Sequence, residues 1–100
     1  MIAPMWILRG TDPAVPLTFR LPIGAAKTMG CAPRADFIVN GGLVSRLHCR
    51  IVAGDEGLEV EDLSSTNGTF VNGRRVKKGH LAQGDRLRIG RVELTVEHQS

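Results

Sequence analysis

The sequence predicts an all-β domain, a sandwich or barrel of short antiparallel strands. Three observations carry that prediction. Apolar residues recur with a period of two, which turns one set inward and the other toward water. Turn signals come at regular intervals, with twelve glycines and five prolines spread along the chain. No stretch holds a helical period, and the alanine-rich piece Gly24 to Ala26 is too short for one.

Taken in order, the elements read as follows. Leu17, Phe19 and Leu21 alternate with Thr18 and Arg20. Leu58 and Val60 alternate with Glu59 and Glu61, after the turn Gly54-Asp55-Glu56-Gly57. Asn67-Gly68 marks a further turn. Asn72-Gly73, between Phe70-Val71 and Arg75-Val76, predicts a tight hairpin, because Asn-Gly supplies the positive φ angles it needs. Gly84-Asp85 precedes Leu87 and Ile89, which alternate with Arg86 and Arg88. Gly90 then separates that strand from Val92, Leu94 and Val96, which alternate with Glu93, Thr95 and Glu97.

Length and composition bound the function classes. One hundred residues predict one domain, 1–100, with no linker and no repeat. Hydrophobic residues make up 42% and charged residues 23%, an ordinary globular balance that excludes disorder. The longest apolar runs fall far short of the roughly 20 residues that cross a bilayer, so no membrane partner is expected. Met1 to Arg9 has neither a basic start nor an extended apolar centre, so no signal peptide is expected, and a cytoplasmic location is. Cys31 and Cys49 read as free thiols in a reducing compartment. With His48, His80 and His98 scattered, they do not space like a metal site. No cofactor is implied.

The net charge of +3 mildly favours an anionic partner. The charges are segregated along the chain. Asp55, Glu56, Glu59, Glu61 and Asp62 form an acidic stretch, and Arg74, Arg75, Lys77 and Lys78 a basic one, followed by Arg86, Arg88 and Arg91. The plain reading is solvated strand faces of opposite sign. A nucleic-acid surface is disfavoured: there are four aromatics, and their alternation places most of them in the core, which leaves no stacking platform.

Two polar stretches abut strands, Val44-Ser45-Arg46-Leu47-His48 and Asp62 through Phe70. Ser, Thr and Asn side chains bond nearby backbone and hold loops in fixed shapes. They also leave outward donors, and with Arg46 the set suits an oxyanion such as phosphate. Each stretch alone could be no more than a well-formed turn, and Arg46 could simply pair with an acid. The joint arrangement is what points to binding.

Gly30, Ser45-Arg46-x-His48, Asp62-Leu63-x-Ser65-Thr66-Asn67-Gly68-Thr69-Phe70-Val71-Asn72-Gly73, Leu81-x-x-Gly84-Asp85 and Ile89-Gly90 occur in one order and spacing. Over about Lys27 to Val96 the chain resembles the forkhead-associated domain. The resemblance implies an antiparallel sandwich of two twisted sheets, with binding loops at one end, that docks phosphothreonine in an extended peptide. Carried over by residue, Ser45 donates its hydroxyl to the phosphate, and Arg46 adds a phosphate or peptide contact. Thr66 reaches the phosphate or the threonine methyl, and Asn67 holds the peptide main chain. His48 is structural, while Gly30, Gly68 and Gly73, with Asn72 in its turn, meet backbone demands.

One position departs from the pattern. The family places an arginine after the glycine, as a principal phosphate contact, and here the pair is Gly30-Cys31, with Asp36-Phe37-Ile38-Val39 as the next strand. A thiol has no positive charge and no donor fork. Losing one charge-assisted hydrogen bond, about 1.5–3 kcal/mol, weakens binding roughly 10-fold to over 100-fold. Three outcomes stay open: Arg34 or Arg46 supplies the charge, the loops bind an unphosphorylated partner as a scaffold or self-association surface, or Cys31 is a substitution in an otherwise ordinary domain. A Cys31, His48 and Asp36 nucleophile arrangement is conceivable on paper, but no nucleophile motif surrounds Cys31, and the expectation is no enzyme. Oligomeric state is not legible.

Overall fold

The computed structural model describes residues 4–99. The first three residues and the last of the predicted 1–100 domain, and with them the start of the Met1 to Arg9 stretch, lie outside the described residues. The strands are β1 (Met5–Gly10), β2 (Thr18–Pro22), β3 (Ala26–Gly30), β4 (Phe37–Ile38), β5 (Cys49–Ala53), β6 (Leu58–Asp62), β7 (Thr69–Val71), β8 (Arg74–Val76), β9 (Lys78–Leu81), β10 (Arg86–Ile89) and β11 (Val92–Gln99). They form a six-stranded sheet, β2-β1-β11-β10-β7-β8, and a five-stranded sheet, β4-β3-β5-β6-β9. No helix among the described residues is long and apolar enough to cross a membrane.

The period-two segments are the strands, and their apolar members meet between the sheets. Leu8, Leu21, Leu87, Ile89, Leu94 and Val96 come from the first sheet, and Met29, Ile51, Leu58, Val60 and Leu81 from the second; all are buried. The Trp6 indole closes one end of the core. Its Nε1–H donates to the Gly54 carbonyl at 2.8 Å, tying β1 to the turn after β5. Asn72 and Gly73 adopt φ of 50° and 82° between β7 and β8, the hairpin conformation that Asn-Gly predicts.

The structure corrects the sequence reading in three places. One strand pair is parallel: Met29 and Gly30 face Phe37 and Ile38. The segment Asp36 to Val39 contributes two strand residues rather than four, because the Asp36 carboxylate turns back to accept from the Thr28 backbone and hydroxyl. The acidic and basic stretches do not make separate faces. Register sets Glu61 between Arg50 and Lys78, and Glu59 beside His80, so opposite charges alternate across the second sheet. Of the aromatics, Trp6 is buried, Phe19 and Phe37 stack at the core margin, and Phe70 lies on the outer face beneath the Arg88 guanidinium.

Candidate functional site

The loops after β3, β4 and β6 converge at the end of the sandwich away from Trp6, and the chain locks them together backbone to backbone. The Cys31 N–H donates to the Ser45 carbonyl and the Ala32 N–H to the Arg46 carbonyl, each at 3.0 Å. That zipper brings Gly30 against the next loop. A Cβ on Gly30 would overlap the Arg46 carbonyl oxygen and come within 2.7 Å of its carbon. The demand on this glycine is close approach.

His48 joins the loops from beneath. It is fully buried. Its Nδ1 accepts the Ser45 N–H at 3.0 Å, so its Nε2 must carry the proton, which it donates to the Gly68 carbonyl at 2.8 Å. Both ring nitrogens are thereby used, and neither is free to act on Cys31. Asp36, bound to Thr28, is not available to orient the ring either.

Asp62, at the end of β6, organises the following loop. Its carboxylate accepts from the Ser65 N–H, the Ser65 hydroxyl and the Thr69 hydroxyl. The Ser65 hydroxyl in turn accepts from the Gly68 N–H at 3.0 Å. Burial works against the charge, but the bonds from Ser65 and Thr69 outweigh it and hold the Asp62 carboxyl below the usual carboxylate range. Ser64 enters this loop at φ 60° and Gly68 leaves it at φ 95°.

Between the loops lies an open depression of about 510 Å³, lined by Cys31, Leu43, Val44, Ser45, Arg46, Leu47, Ser64, Thr66 and Asn67. The Ser45 hydroxyl accepts the Thr66 N–H at 3.1 Å, a contact that leaves its own proton free to donate. The Asn67 Nδ2 donates to the Leu43 carbonyl at 3.2 Å, leaving Oδ1 and a second N–H uncommitted in that contact. Arg46 and Thr66 are exposed on the rim. Arg34 is exposed too, on the turn before β4, but does not line the depression. Cys31 lines it and is half-buried. Cys49, in contrast, is sealed in the core, where burial and the nearby Asp62 charge push its thiol up to about 12.

Sequence reasoning did not single out Leu43 or Ser64 as individual residues. Leu43 is 51% exposed at φ 66°, with its loop seated on Gly90. The signal was indirect: Gly41-Gly42 marks a turn, and Gly90 supplies the space, since a Cβ there would fall 2.6 Å from the Gly42 carbonyl oxygen.

The profile of the family described as FHA domain matches residues 27–90, which span these loops and the strands that carry them. The chain belongs to the FHA domain family. The FHA domain of the CT664 protein from Chlamydia trachomatis superimposes with a TM-score of 0.88 at 26% identity, covering 96% of this chain and 99% of that one. An FHA structure solved in work on phosphothreonine-dependent FHA domain interactions gives a TM-score of 0.85 at 32% identity, over 96% and 98% of the two chains. Among curated relatives, the ABC transporter ATP-binding/permease protein Rv1747 of Mycobacterium tuberculosis is 42% identical over 78 residues, covering 78% of this chain and 9% of that protein. The oxoglutarate dehydrogenase inhibitor of Corynebacterium diphtheriae is 36% identical over 67 residues, covering 67% and 47%. This FHA chain thus spans a small part to about half of the curated relatives it matches. The similar structures also include Mycobacterium tuberculosis EmbR in complex with a low-affinity phosphopeptide and the FhaA FHA domain complexed with the intracellular domain of Rv3910.

Proposed function

We propose that this FHA domain docks a partner protein by holding a phosphothreonine peptide in the depression between its three loops. The observation that carries this reading is the Ser45 hydroxyl, held by the Thr66 N–H with its own proton free to donate, and Arg46 lining the same depression. A phosphate placed there takes a hydroxyl donor and a guanidinium. Thr66 meets the phosphate or the threonine methyl, and Asn67 spans the peptide backbone with its remaining donor and acceptor. Gly30, His48, Gly68, Asn72 and Gly73 hold the loops and do not touch ligand. Arg46 lines the depression and Arg34 does not, which supports Arg46 over Arg34 as the guanidinium at the site. No catalytic step is assigned.

Cys31 lines the depression where the family pattern has arginine, so the phosphate loses a forked cation there and the affinity is reduced. Titration of phosphorylated and unphosphorylated forms of one threonine peptide tests the reading: tighter binding of the phosphorylated form supports it, and equal or absent binding overturns it. Cys31→Arg is expected to tighten the phosphorylated form roughly 10-fold, the value of one charge-assisted hydrogen bond. A second reading, a phosphorylation-independent scaffold or self-association site on the same loops, is favoured by Leu43, an exposed apolar side chain on the rim opposite Asn67. In that case binding survives without phosphate and falls with Leu43→Ser.

A further inference from the structure

The outer face of the six-stranded sheet carries a second feature next to the groove. Register places Phe70 of β7 between Arg75 of β8 and Arg88 of β10. The Arg88 guanidinium carbon lies 3.9 Å from the centre of the Phe70 ring, and one of its N–H groups donates to the Gly90 carbonyl at 3.1 Å. Arg75 lies on the other side, against Gly68: a Cβ there would fall 2.7 Å from the Arg75 Nε and 3.2 Å from the Phe70 Cε1. Gly68 directly follows Asn67, a lining residue of the groove.

Neither guanidinium makes an ion pair among the described residues. The ion pairs among the described residues are Arg9–Glu97, Lys78–Glu61 and His80–Glu59. Glu93 is the cross-strand neighbour of Arg88, yet its carboxylate makes no ion pair with it. The aromatic ring and the Gly90 carbonyl hold the Arg88 plane in place, so less freedom is lost when its remaining N–H groups bind. A planar fork with free edges matches a carboxylate.

We infer that Arg75 and Arg88, on either side of Phe70, form an anion site that takes the carboxylates of an acidic segment lying beside the residue held in the groove. This rests on the reading of the groove as a peptide site, and it adds a class to the partner: one whose docking segment is acidic on the side that passes Asn67 and Gly68. Charge complementarity selects it: the two cations enter no ion pair among the described residues, and Glu93, opposite Arg88, is a single acid beside two guanidinium groups.

The test uses eight peptides. Each has threonine or phosphothreonine at the centre and three glutamates or three alanines on one flank or the other. The readout is the ratio of affinities, glutamate over alanine, within each phosphorylation state. The expected result is a gain of about 5-fold to 10-fold at low salt for glutamates on one flank only, shrinking at about 0.5 M salt. The ratio should fall to near one in Arg75→Gln and Arg88→Gln, and Arg75→Lys should retain part of it. A ratio near one in the unmodified protein in both states, a gain that persists in the double glutamine variant, or no binding of any glutamate peptide overturns the inference. Dependence on the central phosphate is read separately, from phosphothreonine against threonine. The acid preference can therefore hold while the phosphate reading fails, and the reverse.

Discussion

Gly30 has no room for a side chain, because the Arg46 carbonyl occupies the place where a Cβ would stand. The obstacle is backbone, held by the Ala32 and Cys31 hydrogen bonds, so it cannot yield without opening the groove. Gly30→Ala is expected to destabilise the fold by about 3 kcal/mol, read as a lower urea midpoint with an unchanged slope. The two cysteines differ in reach. Cys31 faces the groove, whereas Cys49 is buried with its thiol raised to about 12. Iodoacetamide at neutral pH should therefore modify one thiol per native chain and two per chain in urea, counted by mass spectrometry. Modification of Cys49 in the native protein would contradict the sealed core.

The loop between β6 and β7 carries a titrating group at its start. Asp62 is stabilised as the anion by Ser65 and Thr69, and its carboxyl lies below the usual range. The sign follows directly. A depressed carboxyl contributes stability that is complete above the ordinary value near pH 4 and is lost as pH falls through the depressed one. Unfolding midpoints taken from pH 6 down to pH 2 should drop in the unmodified protein and drop less in Asp62→Asn, which starts lower. The same loop shows the limit of sequence reading at this scale. Asp62 to Gly68 reads as a polar turn from its residues alone. The bonds between Asp62 and Thr69, and between His48 and Gly68, depend on chain segments up to 20 residues apart being brought together. Likewise Asp36 to Val39 has the composition of a strand, and a reciprocal bond to Thr28 cuts it to two residues.

At the scale of the molecule, both sheets share one core, and the single tryptophan ties them together through Gly54. Trp6 fluorescence and far-ultraviolet circular dichroism should therefore report one coincident urea transition. Two separated transitions would mean that the sheets unfold independently. The fold class, the hairpin at Asn72-Gly73 and the two polar loops were legible because they depend on local physics: a period of two, positive φ at Asn-Gly, and short polar side chains beside strands. Charge was not legible in this way. Acids and bases separate along the chain, and cross-strand register interleaves them, while beside Phe70 Arg75 and Arg88 enter no ion pair among the described residues. By itself the sequence determined a small β-sandwich of FHA type with a cysteine after Gly30. Only the tertiary structure decided which side chains meet at the groove, that Arg34 stands outside it, and that the two arginines of separate strands flank one ring. Those are contacts between distant segments, set by strand register and loop closure, on which a period along the chain carries no information.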